Sequence, residues 1–181
     1  FVFDSTLMGD RRHRIYISND IDEKENEVAR ELKPIMYDFW EILGRHPIFL
    51  GDGQIAYQGC NVWENGGSCG IYRINGVGSE PQQITSWPND IPTDNLGTDV
   101  LFMSDRGTDG DVDNWDVYRV TSDGSQLLRL TDHPAHDGLA TASPDGNHIA
   151  FVSDRDGTWA VYVMNTNGAN QRKLFELNGQ F

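Results

Sequence analysis

A chain of 181 residues can bury a sizeable core, and 38% hydrophobic with 23% charged residues and 19 glycines suits a turn-rich protein. Acidic residues outnumber basic ones 28 to 14, a formal net charge of −14. No cluster of Lys and Arg is present to displace counterions from phosphates, which excludes a nucleic-acid binder, and no apolar run approaches the ~18–20 residues of a membrane-spanning helix.

The first residues, Phe1-Val2-Phe3-Asp4, read as the middle of a strand rather than an initiator segment or signal peptide, and a longer parent chain is expected. A second short strand is expected around Tyr16. Glu23 to Leu32 has the composition of a short helix, but the spacing places Val28 to Leu32 as a further strand, with Pro34 closing either element. Residues 34–46 then count as an insertion.

Three longer segments follow with one common pattern. They are "GDGQIAYQGCNVWENGGSCGIYRINGVGSEPQQI" (Gly51 to Ile84), "DVLFMSDRGTDGDVDNWDVYRVTSDGSQLLRL" (Asp99 to Leu130) and "SPDGNHIAFVSDRDGTWAVYVMNTNGANQRKL" (Ser143 to Leu174). In each, an aromatic ends one apolar run (Tyr57, Phe102, Phe151) and a tyrosine marks the next (Tyr72, Tyr118, Tyr162); Phe3 and Tyr16 fill these places in the opening segment. Successive tyrosines lie 56, 46 and 44 residues apart. Turn signals such as Ser143-Pro144-Asp145-Gly146 and Asn165-Thr166-Asn167-Gly168 punctuate the runs. Leu139 to Ala142 and Gln171 to Phe175 complete four strands in the last unit. Four-stranded units at a period of about 40–50 residues are the sequence form of propeller blades. The expected class is all-β: a β-propeller of about four four-stranded blades, alone or as part of a larger propeller. The blade-like units span about 1–33, 47–85, 93–131 and 138–176.

The last segment, preceded by "RLTDHPAHDGLATA", resembles the TolB-like (PD40, WD40-like) propeller repeat. The likeness weakens toward the N-terminus, yet the four units cover essentially the whole chain. It implies a non-enzymatic scaffold outside the cytoplasm, secreted, surface-bound or periplasmic. Such a scaffold would engage a partner protein, by analogy an envelope protein, or assemble through open blade edges. Similar repeats also precede the hydrolase domains of prolyl-oligopeptidase-like peptidases, and a carbohydrate-binding propeller is a third reading.

The repeat explains the two cysteines, which stand nine residues apart. With Phe151 facing Tyr162 across a hairpin, Asp154 and Trp159 are the next opposed places near its tip; Asp105 and Trp115 match them in the third unit, and Cys60 and Cys69 in the second. Opposed positions bring Cβ atoms to about 4.5–5.5 Å, within reach of a disulfide. A Cys60–Cys69 bridge, worth about 2–3 kcal/mol at best, is expected, and with it an oxidising compartment. Two reduced thiols are the alternative; a zinc site would lack its second ligand pair.

Candidate sites cluster at the same hairpin tips and the links between units. "DRGTDGDVDNWD" carries Asp109, Asp111, Asp113 and Asp116, whose carboxylates could converge on calcium. The EF-hand glycine and glutamate are missing, and a solvated acidic loop is the alternative. Ser-Asp-Arg occurs at 104–106 and 153–155, where Asp and Arg are expected to cap backbone groups and pair between neighbouring units. His133 and His136 lie in "DHPAHDG", which the resembling repeat uses as a plain link. Asp105, Arg106, His133, His136, Asp154 and Arg155, with Trp63 and Trp87, form the expected interaction face, acidic enough to suit a cationic partner. No GxSxG or phosphate loop occurs, and no catalytic residue is assigned. The bridge makes a direct prediction: Cys60→Ser lowers the melting temperature under non-reducing conditions without changing oligomeric state. An unchanged temperature would count against it.

Overall fold

The computed structural model describes residues 2–5, 13–17, 30–31, 44–60, 68–76, 81–107 and 114–177. Four antiparallel sheets follow one another along the chain. Blade 1 contains β1 (Val2–Ser5), β2 (Arg14–Ile17) and β3 (Arg30–Glu31). Blade 2 contains β4 (Gly44–Phe49), β5 (Ile55–Cys60), β6 (Cys69–Ile74) and β7 (Gln82–Gln83). Blade 3 contains β8 (Ile91–Leu96), β9 (Asp99–Ser104), β10 (Asp116–Val120) and β11 (Leu127–Arg129). Blade 4 contains β12 (Asp137–Ala142), β13 (His148–Ser153), β14 (Ala160–Asn165) and β15 (Arg172–Glu176). No helix among the described residues is long and apolar enough to cross a membrane.

The expected strand near Val28 to Leu32 is present as β3, paired with β2. One boundary moves. Gly44 and Arg45, counted within the insertion, already pair with Gly59 and Gln58. A bulge between Arg45 and Ile48 breaks the alternation that would have revealed this strand in the sequence.

The aromatic anchors meet as the repeat requires. Phe3–Tyr16, Tyr57–Tyr72, Phe102–Tyr118 and Phe151–Tyr162 are register partners. Their rings stack with centroids 5.4–6.0 Å apart. The pairs of blades 2, 3 and 4 each pack on the blade before. Tyr57 and Tyr72 cluster with Ile15 of blade 1, and Phe102 and Tyr118 with Ala56 and Ile71 of blade 2. Phe151 and Tyr162 cluster with Leu101 and Val117 of blade 3. The protein therefore has three seams of core rather than one centre, because a two-sided sheet must bury both faces.

Polar side chains lace the first strands together. Asn95 donates to the Phe49 carbonyl at 2.8 Å, and Asp94 accepts from Thr141 Oγ1 at 2.5 Å and the Ala142 amide at 2.9 Å. Across the first seam, the His46 amide donates to Asp4 at 3.1 Å. The turns between third and fourth strands rest on the preceding blade. Gly124 (φ 76°) and Gly168 (φ 83°) lie so close to the backbone of Ile84 and Leu130 that a Cβ would come within 2.6 and 2.5 Å of their carbonyl oxygens. Only glycine fits there.

Exposed aspartates organise two turns at this end, one between β12 and β13 and one between β10 and β11. Asp145 accepts from Ser143 Oγ and the Asn147 amide, and Asp123 accepts from Thr121 and Ser125. These bonds hold both carboxyls down at about 2. Because the folded values lie below the unfolded ones, the unfolded chain binds more protons in that interval. Stability is then full above about pH 4 and falls as pH drops toward 2. Denaturant midpoints measured between those pH values should show the decline, and Asp145→Asn should flatten it; a variant as steep as the parent would refute the assignment.

Candidate functional site

The second and third strands of each complete blade are joined at a tip, and the links between blades arrive beside these tips. In blade 4, Asp137 opens β12 fully buried, opposite Ser153. Arg155, just past β13, donates to both Asp137 carboxylate oxygens at 2.8 and 2.9 Å, to Ser153 Oγ at 3.0 Å and to Gln171 at 2.7 Å. Its guanidinium lies 5.1 and 4.8 Å from the ring centres of Phe151 and Tyr162. Blade 3 repeats this arrangement. Buried Asp90 accepts from Ser104 Oγ at 2.7 Å and from Arg106 Nε at 3.0 Å, and pairs with the Arg106 Nη2 as well. Arg106 lies 5.3 and 5.7 Å from Phe102 and Tyr118. Burial pushes the Asp90 carboxyl up, while bonds from Thr85, Ser104 and Arg106 pull against it.

These clamps correct one expectation. Arg106 and Arg155 do not pair between neighbouring units; each reaches the aspartate that opens its own blade's first strand. The tip aspartates hold the incoming links instead. Asp105 accepts from the Trp87 indole at 2.5 Å and from Asn89 at 2.7 Å, and Asp154 accepts the His136 amide at 3.0 Å.

Blade 2 is built differently at the same place. Gly44 and Gly59 stand paired where blade 4 has Asp137 and Ser153, and Asn61 takes the sequence place of the arginine. A Cβ on Gly44 would lie 2.3 Å from the Tyr57 ring, so no carboxylate could stand there. The ladder runs one pair further, to Cys60 and Cys69, which form a disulfide with Cα atoms 4.0 Å apart. In blades 3 and 4 it stops at Ser104–Asp116 and Ser153–Ala160, and the Asp–Trp places lie just beyond.

Of the acidic-loop residues, Asp109, Asp111, Asp113 lie outside the described residues, as does Trp63. Asp116 is fully buried on β10 and engaged by Arg129 at 2.5 Å and Thr131 at 3.1 Å. Burial raises its carboxyl, opposed by Arg129. No group of three His, Cys, Asp or Glu side chains among the described residues is placed to hold a metal. His133 and His136 serve the link: His133 Nδ1 accepts the Ala135 amide at 3.1 Å, and the His136 ring stacks on Trp159.

Blade 3 also differs from blades 2 and 4 at its anchor tyrosine. The anchor tyrosine's hydroxyl donates to Asp156 in blade 4 and to the Ser68 carbonyl in blade 2. The Tyr118 hydroxyl is buried without a partner among the described residues, where Gly107 occupies the sequence place of Asp156.

Between these two tips lies a cleft of about 300 Å³ lined by Met103, Trp115, His136, Asp137, Gly138, Leu139, Val152 and Trp159. A bulge between Gly138 and Thr141 turns Leu139 out of the ladder. Leu139 is held at φ 49° and is 63% exposed. The lining is almost wholly apolar, and its one carboxylate, Asp137, is consumed by Arg155. Such a surface can seat an apolar side chain. Sequence reasoning missed it, since only the fold brings two tips and a bulge together.

No family model matches the chain. An uncharacterized protein of Agrobacterium fabrum is 35% identical over 71 residues, which is 35% of this chain and 24% of that protein. Among solved structures, one assigned to TolB of Agrobacterium tumefaciens superposes with a TM-score of 0.72 at 20% identity, over 97% of this chain and 61% of that one. TolB from Acinetobacter baumannii gives 0.67 at 21%, over 97% and 40% respectively. A puromycin hydrolase gives 0.56 at 15%, over 92% of this chain and 27% of that one. The fold is a TolB-like β-propeller, and the chain spans less than two thirds of these proteins.

The clamps make a quantitative prediction. Arg155→Ala strands a fully buried carboxylate and should cost about 3–5 kcal/mol in denaturant unfolding. Lys173→Ala, which removes solvent-exposed pairs with Asp156 and Glu176, should cost less than about 1 kcal/mol. Equal costs would show that Arg155 is not a buried clamp.

Proposed function

We propose that this chain is a non-enzymatic propeller scaffold that binds a partner protein at the tip-and-link end of blades 3 and 4, outside the cytoplasm. The observation that carries this reading is the cleft: an apolar, tryptophan-walled hollow beside an exposed leucine, on a chain otherwise rich in charge. Large apolar residues gathered at one concave place are the usual anchor points of protein interfaces. The polar groups around it are spent on one another, which supports recognition rather than turnover. The disulfide supports an oxidising compartment. The TolB-like fold supports the scaffold role by analogy alone.

The second reading, the propeller part of a larger hydrolase, draws on the likeness to puromycin hydrolase and requires a catalytic domain beyond these residues. A native polypeptide mass well above 20.4 kDa would bring it forward. The scaffold reading is tested by a photo-crosslinking residue at position 139, with position 167, in a turn at the opposite end of blade 4, as control. Discrete cross-linked species from 139 and none from 167 are expected in the native cells. No discrete species from 139 in the folded protein would overturn the reading.

A further inference from the structure

We infer that the occupant of the cleft is an extended peptide segment carrying one bulky apolar side chain flanked by lysine or arginine. This rests on the reading of that end as a protein-binding surface, and adds the chemistry of what is bound.

Size comes first. A hollow of about 300 Å³ lies at the lower limit of small-molecule sites, and it suits one large side chain better than a cofactor. Shape comes second. The His136 ring lies 6.4 Å from Trp159 with 19° between planes, so it stacks on the indole and gives the wall a flat aromatic backing. A flat aromatic wall takes an inserted aromatic or aliphatic group with little loss of its own freedom. Gly138 leaves the floor open as far as Met103, whose sulfur a Cβ at that position would approach to 3.0 Å.

Leu139 supplies an independent observation. An L-residue in the left-handed region is strained, and a leucine left mostly exposed to water regains little of that by burial. His46, at the matching bulge of blade 2, shares the conformation (φ 52°), so the bulge belongs to the architecture. The choice of an exposed leucine to fill it does not follow from the bulge. A partner's side chain covering Leu139 would recover the buried area that folding leaves out.

Charge decides the flanks. The chain carries −14. Asp132 and Asp156, the exposed acids near these tips, are paired with Arg129 and Lys173, so the net charge of the chain as a whole sets the preference. A segment with basic residues beside its anchor is drawn to a surface of that net charge, and an acidic one is repelled. A glycan would stack on the same rings but needs partners for its hydroxyls. The one carboxylate in the lining is already bonded through both oxygens to Arg155.

The test uses three probes at millimolar concentration: acetyl-Lys-Lys-Phe-Lys-amide, acetyl-Glu-Glu-Phe-Glu-amide and maltotetraose. The readout is the indole N–H signals of Trp115 and Trp159 by NMR, with the backbone amide of Asn167, in the turn at the opposite end of blade 4, as internal reference. The basic peptide should shift both signals and leave Asn167 in place, and the other two probes should shift neither. Leu139→Asn, better suited to the left-handed conformation, should raise the melting temperature while weakening the basic peptide at least tenfold. Equal shifts from the acidic peptide, or shifts from the sugar alone, would overturn the assigned occupant while leaving a cross-link at 139 intact. No shift from any probe would overturn it too, and only a failed cross-link would remove the protein-binding reading beneath it.

Discussion

Everything in this molecule hangs on two aromatic rings facing each other across the middle of each sheet. The register that stacks Phe151 on Tyr162, or Phe102 on Tyr118, fixes every other pairing in its blade, because a slip of one residue would turn the whole buried set to the other face. The rings bury large area and gain about 0.5–1.5 kcal/mol per pair beyond burial. They also set the spacing between blades. Beyond blade 1, each pair rests on small or aliphatic residues of the sheet before it, Ala56 and Ile71 in one seam, Leu101 and Val117 in the next. The arginine of blades 3 and 4 lies along the edge of the pair, and its buried aspartate ties it to the start of the first strand. Ring stack, guanidinium and carboxylate thus form one unit that closes a blade at its tip.

The unit also accounts for the placement of the exposed cleft. Once the Ser-Asp-Arg side chains turn inward, the tips of blades 3 and 4 present their tryptophans outward. The acid–base groups that look most chemical in the sequence are those that hold the blade together. The apolar groups, which look most structural, are those left for contact.

Much of this could be read from residues alone, and the reason is repetition. Anchors, strands and the opposed cysteines follow from aligning four imperfect copies, since a shared register carries information that no single copy holds. The clamp roles of Asp90 and Asp137 were not read, although a signal was present: both stand where a first strand begins, ahead of a Ser-Asp-Arg. A charge at a strand's start reads as solvent-facing until the fold shows the arginine above it. The Gly44 boundary and the exposure of Leu139 were hidden by bulges, whose left-handed residues are a histidine and a leucine rather than the glycine that usually marks such a position. The cleft joins residues of two blades, and no local pattern encodes a space between units.

The exchange of a buried ion pair for a disulfide in blade 2 has a consequence for how the molecule meets its surroundings. Blades 3 and 4 are fastened by charges, and their fastenings answer to protons and to the arginine's access to water. Blade 2 is fastened by a covalent bond that ignores both and answers to electrons. A single row of similar sheets is thus divided into sectors with different vulnerabilities. A reducing setting would loosen one sector and spare the others, and acid would do the opposite.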